Sequence, residues 1–138
     1  MGPENAEREL YGHRASAEWL DAPAALGADE HKPFLETAPY PIAVFAREYG
    51  VLPDGRKVKH YYVRESVGIA TGILITAIHH AGLVSLTYTP SPMAFLSDIL
   101  GRPSNERPFL IPVVGFPAAE ARAPALTKES LEEITTFL

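Results

Sequence analysis

Residues 61–81 read YYVRESVGIATGILITAIHHA, the stretch of the chain that decides its fold. Its isoleucines, valines and alanines fall on nearly every side of a helix, a pattern typical of helices inside a protein or at an interface. Gly68 and Gly72 are small enough to let another helix approach closely. Gly82 predicts the end of the helix. The most apolar part, residues 67–77, contains two glycines and two threonines and is too short for the ~20 residues of a membrane span.

The segments on either side of this helix predict strands and one more helix. Residues 40–46 (YPIAVFA), 83–87 and 109–115 are short, apolar and β-prone, as buried strands are. Residues 92–100 predict a helix that ends at the following glycine and proline. This order predicts an α+β fold with a mixed sheet flanked by helices. Three strands are few, since sheets average ~5–6, so we expect a partial sheet that a second copy of the chain or a missing segment completes.

The length of 138 residues is that of one domain, residues 1–138. Within it we distinguish a helical region suited to a lid (4–37), a core (40–117) and a polar C-terminal extension (118–138). Short helices are predicted at residues 4–13, 17–26, 31–37 and 131–137. In the first of them Glu7 and Tyr11 share a face.

Composition and charge narrow the classes of function. The formal net charge is −5, whereas nucleic-acid binding needs a basic footprint, so nucleic acid is not an expected partner. The chain has no cysteine, which excludes disulfides, thiolate metal sites and cysteine nucleophiles. The charged N-terminus MGPENAEREL does not resemble a signal peptide. We therefore expect a cytoplasmic protein without a membrane partner.

The residues alone indicate one candidate site, the segment 87–92 (TYTPSP). It links a predicted strand to a predicted helix, where anions and heteroaromatic rings often dock on backbone amides and hydroxyls. The alternative is an ordinary proline-rich turn in which Ser91 or a threonine caps the helix. His79 and His80 point about 100° apart on a helix, so they do not converge on one metal. No metal site is expected, and no motif of a P-loop, a dinucleotide site, a zinc protease or a serine hydrolase occurs.

Several stretches occur together in one order and carry a resemblance. They are HKPFLETAP (31–39), HYYVRESVGIA (60–70), HAGL (80–83), TYTP (87–90), LGRP (100–103) with Glu106, and PVVGFP (112–117). Each alone is unspecific. Together they resemble the FMN-dependent nitroreductase superfamily, and within it the iodotyrosine dehalogenase branch, over nearly the whole chain.

The resemblance implies a homodimer with two FMN sites at the subunit interface. It also implies an enzyme whose reduced flavin removes halide from a small aromatic substrate, a halotyrosine. The lid residues that grip the amino acid in that family match Glu7, Tyr11 and Lys32 here. A carboxylate, a phenol and an ammonium suit a zwitterionic ligand. The alternative is that these three side chains are ordinary surface residues.

The same resemblance assigns the flavin contacts to the turn Thr87, Tyr88, Thr89 and Pro90, with the catalytic Thr89 hydroxyl near flavin N5, where it would tune the redox states of the flavin. Lys128 falls near the family's basic residue for the FMN phosphate, which is more often an arginine.

The family's N-terminal segment, with its phosphate and ring contacts, has no counterpart in the sequence. Two alternatives therefore stay open. One is a general reductase of nitro compounds or quinones, and the other is a flavin-free remnant that dimerises without activity.

Overall fold

The computed structural model describes residues 8–16, 20, 31–123 and 125–138. In chain order its elements are a π-helical turn (Leu10–Arg14), helix α1 (Phe34–Thr37), strands β1 (Tyr40–Pro41), β2 (Val44–Arg47), β3 (Tyr49–Val51) and β4 (Lys57–Lys59), helix α2 (Val63–His80), strand β5 (Val84–Tyr88), helix α3 (Phe95–Ile99), strand β6 (Glu106–Gly115) and helix α4 (Leu131–Ile134). The predicted α+β class is confirmed. The helix predicted over 17–26 lies outside the described residues, apart from Leu20.

Strand β6 organises the main sheet. Its C-terminal half pairs antiparallel with β5, and its other edge pairs antiparallel with β1 and β2. The strand predicted over 40–46 is split in two opposite Pro112. The Pro112 carbonyl accepts a hydrogen bond from the Ile42 amide at 2.9 Å. In a β-strand, the nitrogen and the carbonyl of one residue face the same edge, so the Pro112 nitrogen also faces β1 and β2. Because proline has no N–H to donate there, the ladder is interrupted at 42–43.

The structure has six strands among its described residues, where three were predicted. The additional ones include the hairpin of β3 and β4, which forms a separate two-stranded sheet. A turn at Pro53-Asp54-Gly55 joins its strands, and Gly55 adopts the positive φ of 86° that suits glycine. The hairpin escaped prediction because β4 has only three residues, all exposed, which is too short for a pattern of alternation to be detected.

Helix α2 confirms the prediction made from residues 61–81. It packs one face on β2 and β5. The buried Thr71 hydroxyl donates to the Val67 carbonyl at 2.7 Å, so the inner face carries no unsatisfied hydroxyl at this point. Gly82, with φ 77°, ends the helix as predicted. The Leu83 amide then reaches back to the Ile78 carbonyl at 3.2 Å, as in a Schellman motif.

The outer face of α2 is apolar and uncovered. Ile69 is 67% exposed and Ile73 is 65% exposed, one helical turn apart. Phe116, just before the C-terminal extension, and Phe137 within it are also exposed. Within the part of the chain that the structure describes, no helix combines the length and apolarity needed to cross a membrane.

Candidate functional site

Residues 87–91, at the end of β5 and directly after it, form what we call the threonine turn, which presents the side chains of Thr87 and Thr89 on one open side. Tyr88 is 6% exposed and Pro90 is fully buried, whereas Thr87 and Thr89 are exposed. Alternate burial of this kind anchors the backbone on one side and leaves the hydroxyls on the other. Neither threonine hydroxyl forms a hydrogen bond to another described residue, so both can donate to a ligand.

The buried side of this turn belongs to the core. Tyr88 packs in a cluster with Phe95, Leu96, Ile111 and Val113. Phe34 of α1 meets the Tyr88 ring edge-on, with 6.0 Å between ring centroids and 82° between planes. Edge-on aromatic pairs contribute about 0.5–1.5 kcal/mol beyond their buried area. The segment that carries α1 is therefore fixed against the turn.

The structure brings together two of the three residues predicted to grip a substrate. The Lys32 ammonium lies over the Tyr11 ring, 4.8 Å from its centroid. Lys32 lies two residues before the start of α1, and the side chains of Lys32 and Tyr11 are both half-buried. A contact of this kind contributes about 0.5–2 kcal/mol, depending on how much water it excludes. Glu7, the third predicted residue, lies outside the described residues.

A further contact, which the sequence did not predict, joins the π-helical turn to the threonine turn. Arg14 Nη1 donates to Ser91 Oγ at 3.1 Å and to the Ser91 carbonyl at 3.5 Å. Arg14 follows Tyr11 by three residues on the same π-helical turn. That spacing was the available signal, but nothing in the sequence pairs Arg14 with a residue 77 positions away.

Lys128 lies apart from the contacts described so far. It is exposed and forms no ion pair or hydrogen bond with any described residue. It precedes α4, whose start is fixed by a capping box in which Ser130 Oγ accepts from the Glu133 amide and the Glu133 carboxylate accepts from the Ser130 amide at 2.7 Å. The hydrogen bond from the Ser130 backbone lowers the pKa of Glu133. The structure thus neither joins Lys128 to the threonine turn nor gives it another role.

The LGRP stretch and Glu106 form an ion-pair network on the far side of α3. Glu106 is buried, and its carboxylate accepts from Arg102 Nε at 2.9 Å and from Arg47 Nη2 at 3.1 Å. These hydrogen bonds, the one from Arg102 first, lower the pKa of Glu106. The network ties the loop after α3 to β2, which is a structural role.

Comparison with known proteins gives relatives by sequence. No family model matches the chain. An iodotyrosine deiodinase of Haliscomenobacter hydrossis is 59% identical over 126 residues, which cover 91% of this chain and 57% of that protein. An iodotyrosine deiodinase of Nematostella vectensis is 42% identical over 132 residues, which cover 95% of this chain and 50% of that protein. The chain therefore spans about half the length of these relatives.

Solved structures agree with the sequence comparison. A crystal structure of oxidized iodotyrosine deiodinase bound to FMN and 3-iodo-L-tyrosine matches with a TM-score of 0.75 and 30% identity, over 98% of this chain and 67% of that one. A nitroreductase family protein of Clostridium difficile matches with a TM-score of 0.58 and 19% identity, over 88% of this chain and 69% of that one, a likeness of fold alone. The chain belongs to the iodotyrosine deiodinase family.

Proposed function

We propose that this chain forms the lid and the flavin-contacting core of an FMN-dependent reductive dehalogenase that acts on halotyrosines. One observation carries the proposal. The Lys32 ammonium lies over the Tyr11 ring, and the segment that bears Lys32 packs through Phe34 on Tyr88 of the threonine turn. The segment that carries groups suited to a zwitterion is therefore fixed against the turn that carries groups suited to a flavin. The relatives named iodotyrosine deiodinase support the same substrate class.

The residues present fit FMN in part. Thr87 and Thr89 offer exposed hydroxyls on a turn that Tyr88 and Pro90 hold rigid, which suits the edge of a planar ring. In this proposal the Thr89 hydroxyl would lie near flavin N5 and could donate to it. Lys128, exposed and without an ion pair among the described residues, would hold the phosphate as a single point charge. A lysine there lacks the paired hydrogen bonds that an arginine gives a phosphate.

The roles of the lid residues follow from their chemistry. Two electrons supplied by bound FMN, with one proton, replace the carbon–halogen bond by a carbon–hydrogen bond and release halide. Lys32 pairs with the substrate carboxylate and Glu7 with its ammonium, while Tyr11 orients the amino acid by its phenol. Closure of these groups over the ring excludes water, which strengthens each of the charge contacts.

We also propose that two copies of the chain form a homodimer through the outer face of α2. The inner face of α2 already packs on the sheet, whereas Ile69 and Ile73 remain about two-thirds exposed. Adjacent exposed apolar residues on one helix face indicate an interface, because monomeric soluble proteins rarely expose large apolar patches. A two-fold contact lets the same face serve in both copies.

The test of the proposed activity is an FMN titration of the purified chain, followed by halotyrosine. We expect a yellow complex, quenching of its flavin fluorescence by 3-iodotyrosine, and release of tyrosine and iodide after chemical reduction. A chain that takes up no FMN refutes the proposal and favours the flavin-free remnant. Reduction of nitroaromatics or quinones with no response to halotyrosine favours the general reductase instead.

A further inference from the structure

Arg14 is the one described side chain of the lid that hydrogen-bonds directly to the threonine turn. Its Nη1 reaches both Ser91 Oγ, at 3.1 Å, and the Ser91 carbonyl, at 3.5 Å. A guanidinium is permanently charged and planar, so a hydrogen bond that it donates persists at any ordinary pH. The contact spans two parts of the chain that are 77 positions apart.

The turn that carries Arg14 also carries the side chain predicted to orient the substrate. Tyr11 and Arg14 sit on one π-helical turn, which the Ala15 amide closes on the Leu10 carbonyl at 3.0 Å. From this turn, Tyr11 meets Lys32 and Arg14 meets Ser91. A movement of the turn toward a ligand at Tyr11 must therefore also act on Ser91.

Ser91 is joined to Thr89 through a single residue, Pro90, which is fully buried. Proline has a fixed φ and no side-chain freedom, so a displacement at Ser91 is passed to Thr89 with little local relaxation. On the buried side, Phe34 against Tyr88 holds the other end of the turn independently of Arg14.

We propose that Arg14 is a positioning residue that couples occupancy of the amino-acid clamp to the placement of the Thr89 hydroxyl. This inference rests on the proposed function for the meaning of that hydroxyl, but the contact itself belongs to the chain alone. In this proposal Arg14 contacts neither substrate nor flavin. It acts through Ser91, and its loss should change the environment of the flavin rather than the folding of the core.

The test uses hydrogen–deuterium exchange of the full chain without FMN, in Arg14→Ala and in the matched variant Arg8→Ala. Arg8 is an exposed arginine near the same turn and forms no hydrogen bond or ion pair with another described residue. We expect roughly three- to tenfold faster exchange at the Thr89 and Ser91 amides in Arg14→Ala, in proportion to the lost charged hydrogen bond. Arg8→Ala should leave these amides unchanged, and Arg14→Lys should restore part of the protection.

A second readout uses the FMN-loaded chain. In the parent and in Arg8→Ala, 3-iodotyrosine should shift the flavin reduction potential, and in Arg14→Ala that shift should shrink while FMN affinity is kept. The role of Arg14 is overturned if Arg14→Ala changes amide exchange only at residues 8–15. It is also overturned if 3-iodotyrosine shifts the flavin potential equally in the parent, Arg8→Ala and Arg14→Ala. A parent chain that binds no FMN overturns the proposed function alone, because the exchange result still decides whether Arg14 holds the turn.

Discussion

Replacing Ile73 by glutamate should turn the proposed dimer into monomers while each chain stays folded. Complete burial of an isoleucine side chain contributes about 1.5–3 kcal/mol, and Ile73 is still 65% exposed. About two-thirds of that value, roughly 1–2 kcal/mol per copy by the same scale, is thus gained only on association. Two symmetric copies give about 2–4 kcal/mol, a loss of roughly 30- to 700-fold in the dimer constant. A buried glutamate adds a desolvation cost to this.

Sedimentation equilibrium over a wide concentration range measures the effect, with the melting temperature as a check on folding. Ile99→Glu is the matched control, because Ile99 is 68% exposed but lies on α3. We expect the control to dimerise like the parent chain. The reasoning fails if Ile73→Glu dimerises as tightly as the parent, or if the parent itself is monomeric at every concentration.

Three further predictions concern single side chains. Lys32→Gln should weaken halotyrosine binding roughly 10- to 100-fold, the value of a lost charged hydrogen bond, with FMN affinity unchanged in a fluorescence titration. Thr89→Val should change the flavin reduction potential while Thr89→Ser keeps it; equal potentials in both would remove Thr89 from N5. The two arginines lower the pKa of the Glu106 carboxyl in the folded chain. The ionised carboxylate therefore stabilises the fold at pH values above the unfolded pKa of 4.5, and this stabilisation is lost as the pH falls through the lower folded pKa. The melting temperature of Glu106→Gln should therefore depend less on pH below 4.5 than that of the parent or of Glu36→Gln.

The local sequence pattern predicted those helices and strands that are buried on one side or completely. The helix over 61–81 and the strand over 83–87 carry runs of apolar residues, and both formed within two residues of the predicted bounds. The hairpin of β3 and β4 was missed, since strands of three residues are too short for a pattern of alternation to be detected. Strand β6 begins three residues earlier than predicted, at the buried Glu106. Its burial depends on Arg102 and Arg47, and a partner of that kind is not visible in a local window.

The candidate site likewise has contacts that the sequence predicted and contacts that it did not. The spacing of Tyr11 and Lys32 matched a known family, and the structure brings the two side chains into contact. The contact of Arg14 with Ser91 has no such precedent in the sequence, because it joins the π-helical turn to a residue 77 positions away. Short-range periodicity reports which face of an element is buried, but it does not report which distant element covers that face. The roles of Glu7, Tyr11 and Lys32 stay predictions until ligand binding is measured.

Dimerisation and flavin binding should be linked through α2 and β5. Helix α2 packs its inner face on β5, and the same strand ends in the threonine turn at Tyr88. A partner on the outer face of α2 would restrain the helix and so hold β5 and the turn from behind. By linkage, FMN that prefers the dimer must tighten it, and FMN affinity must rise with protein concentration. Ile73→Glu should then also weaken FMN binding, although Ile73 lies on the face away from the turn, and Ile99→Glu should not. Equal FMN affinity in Ile73→Glu and the parent, at concentrations where only the parent dimerises, would show that the turn binds flavin without help from a second chain.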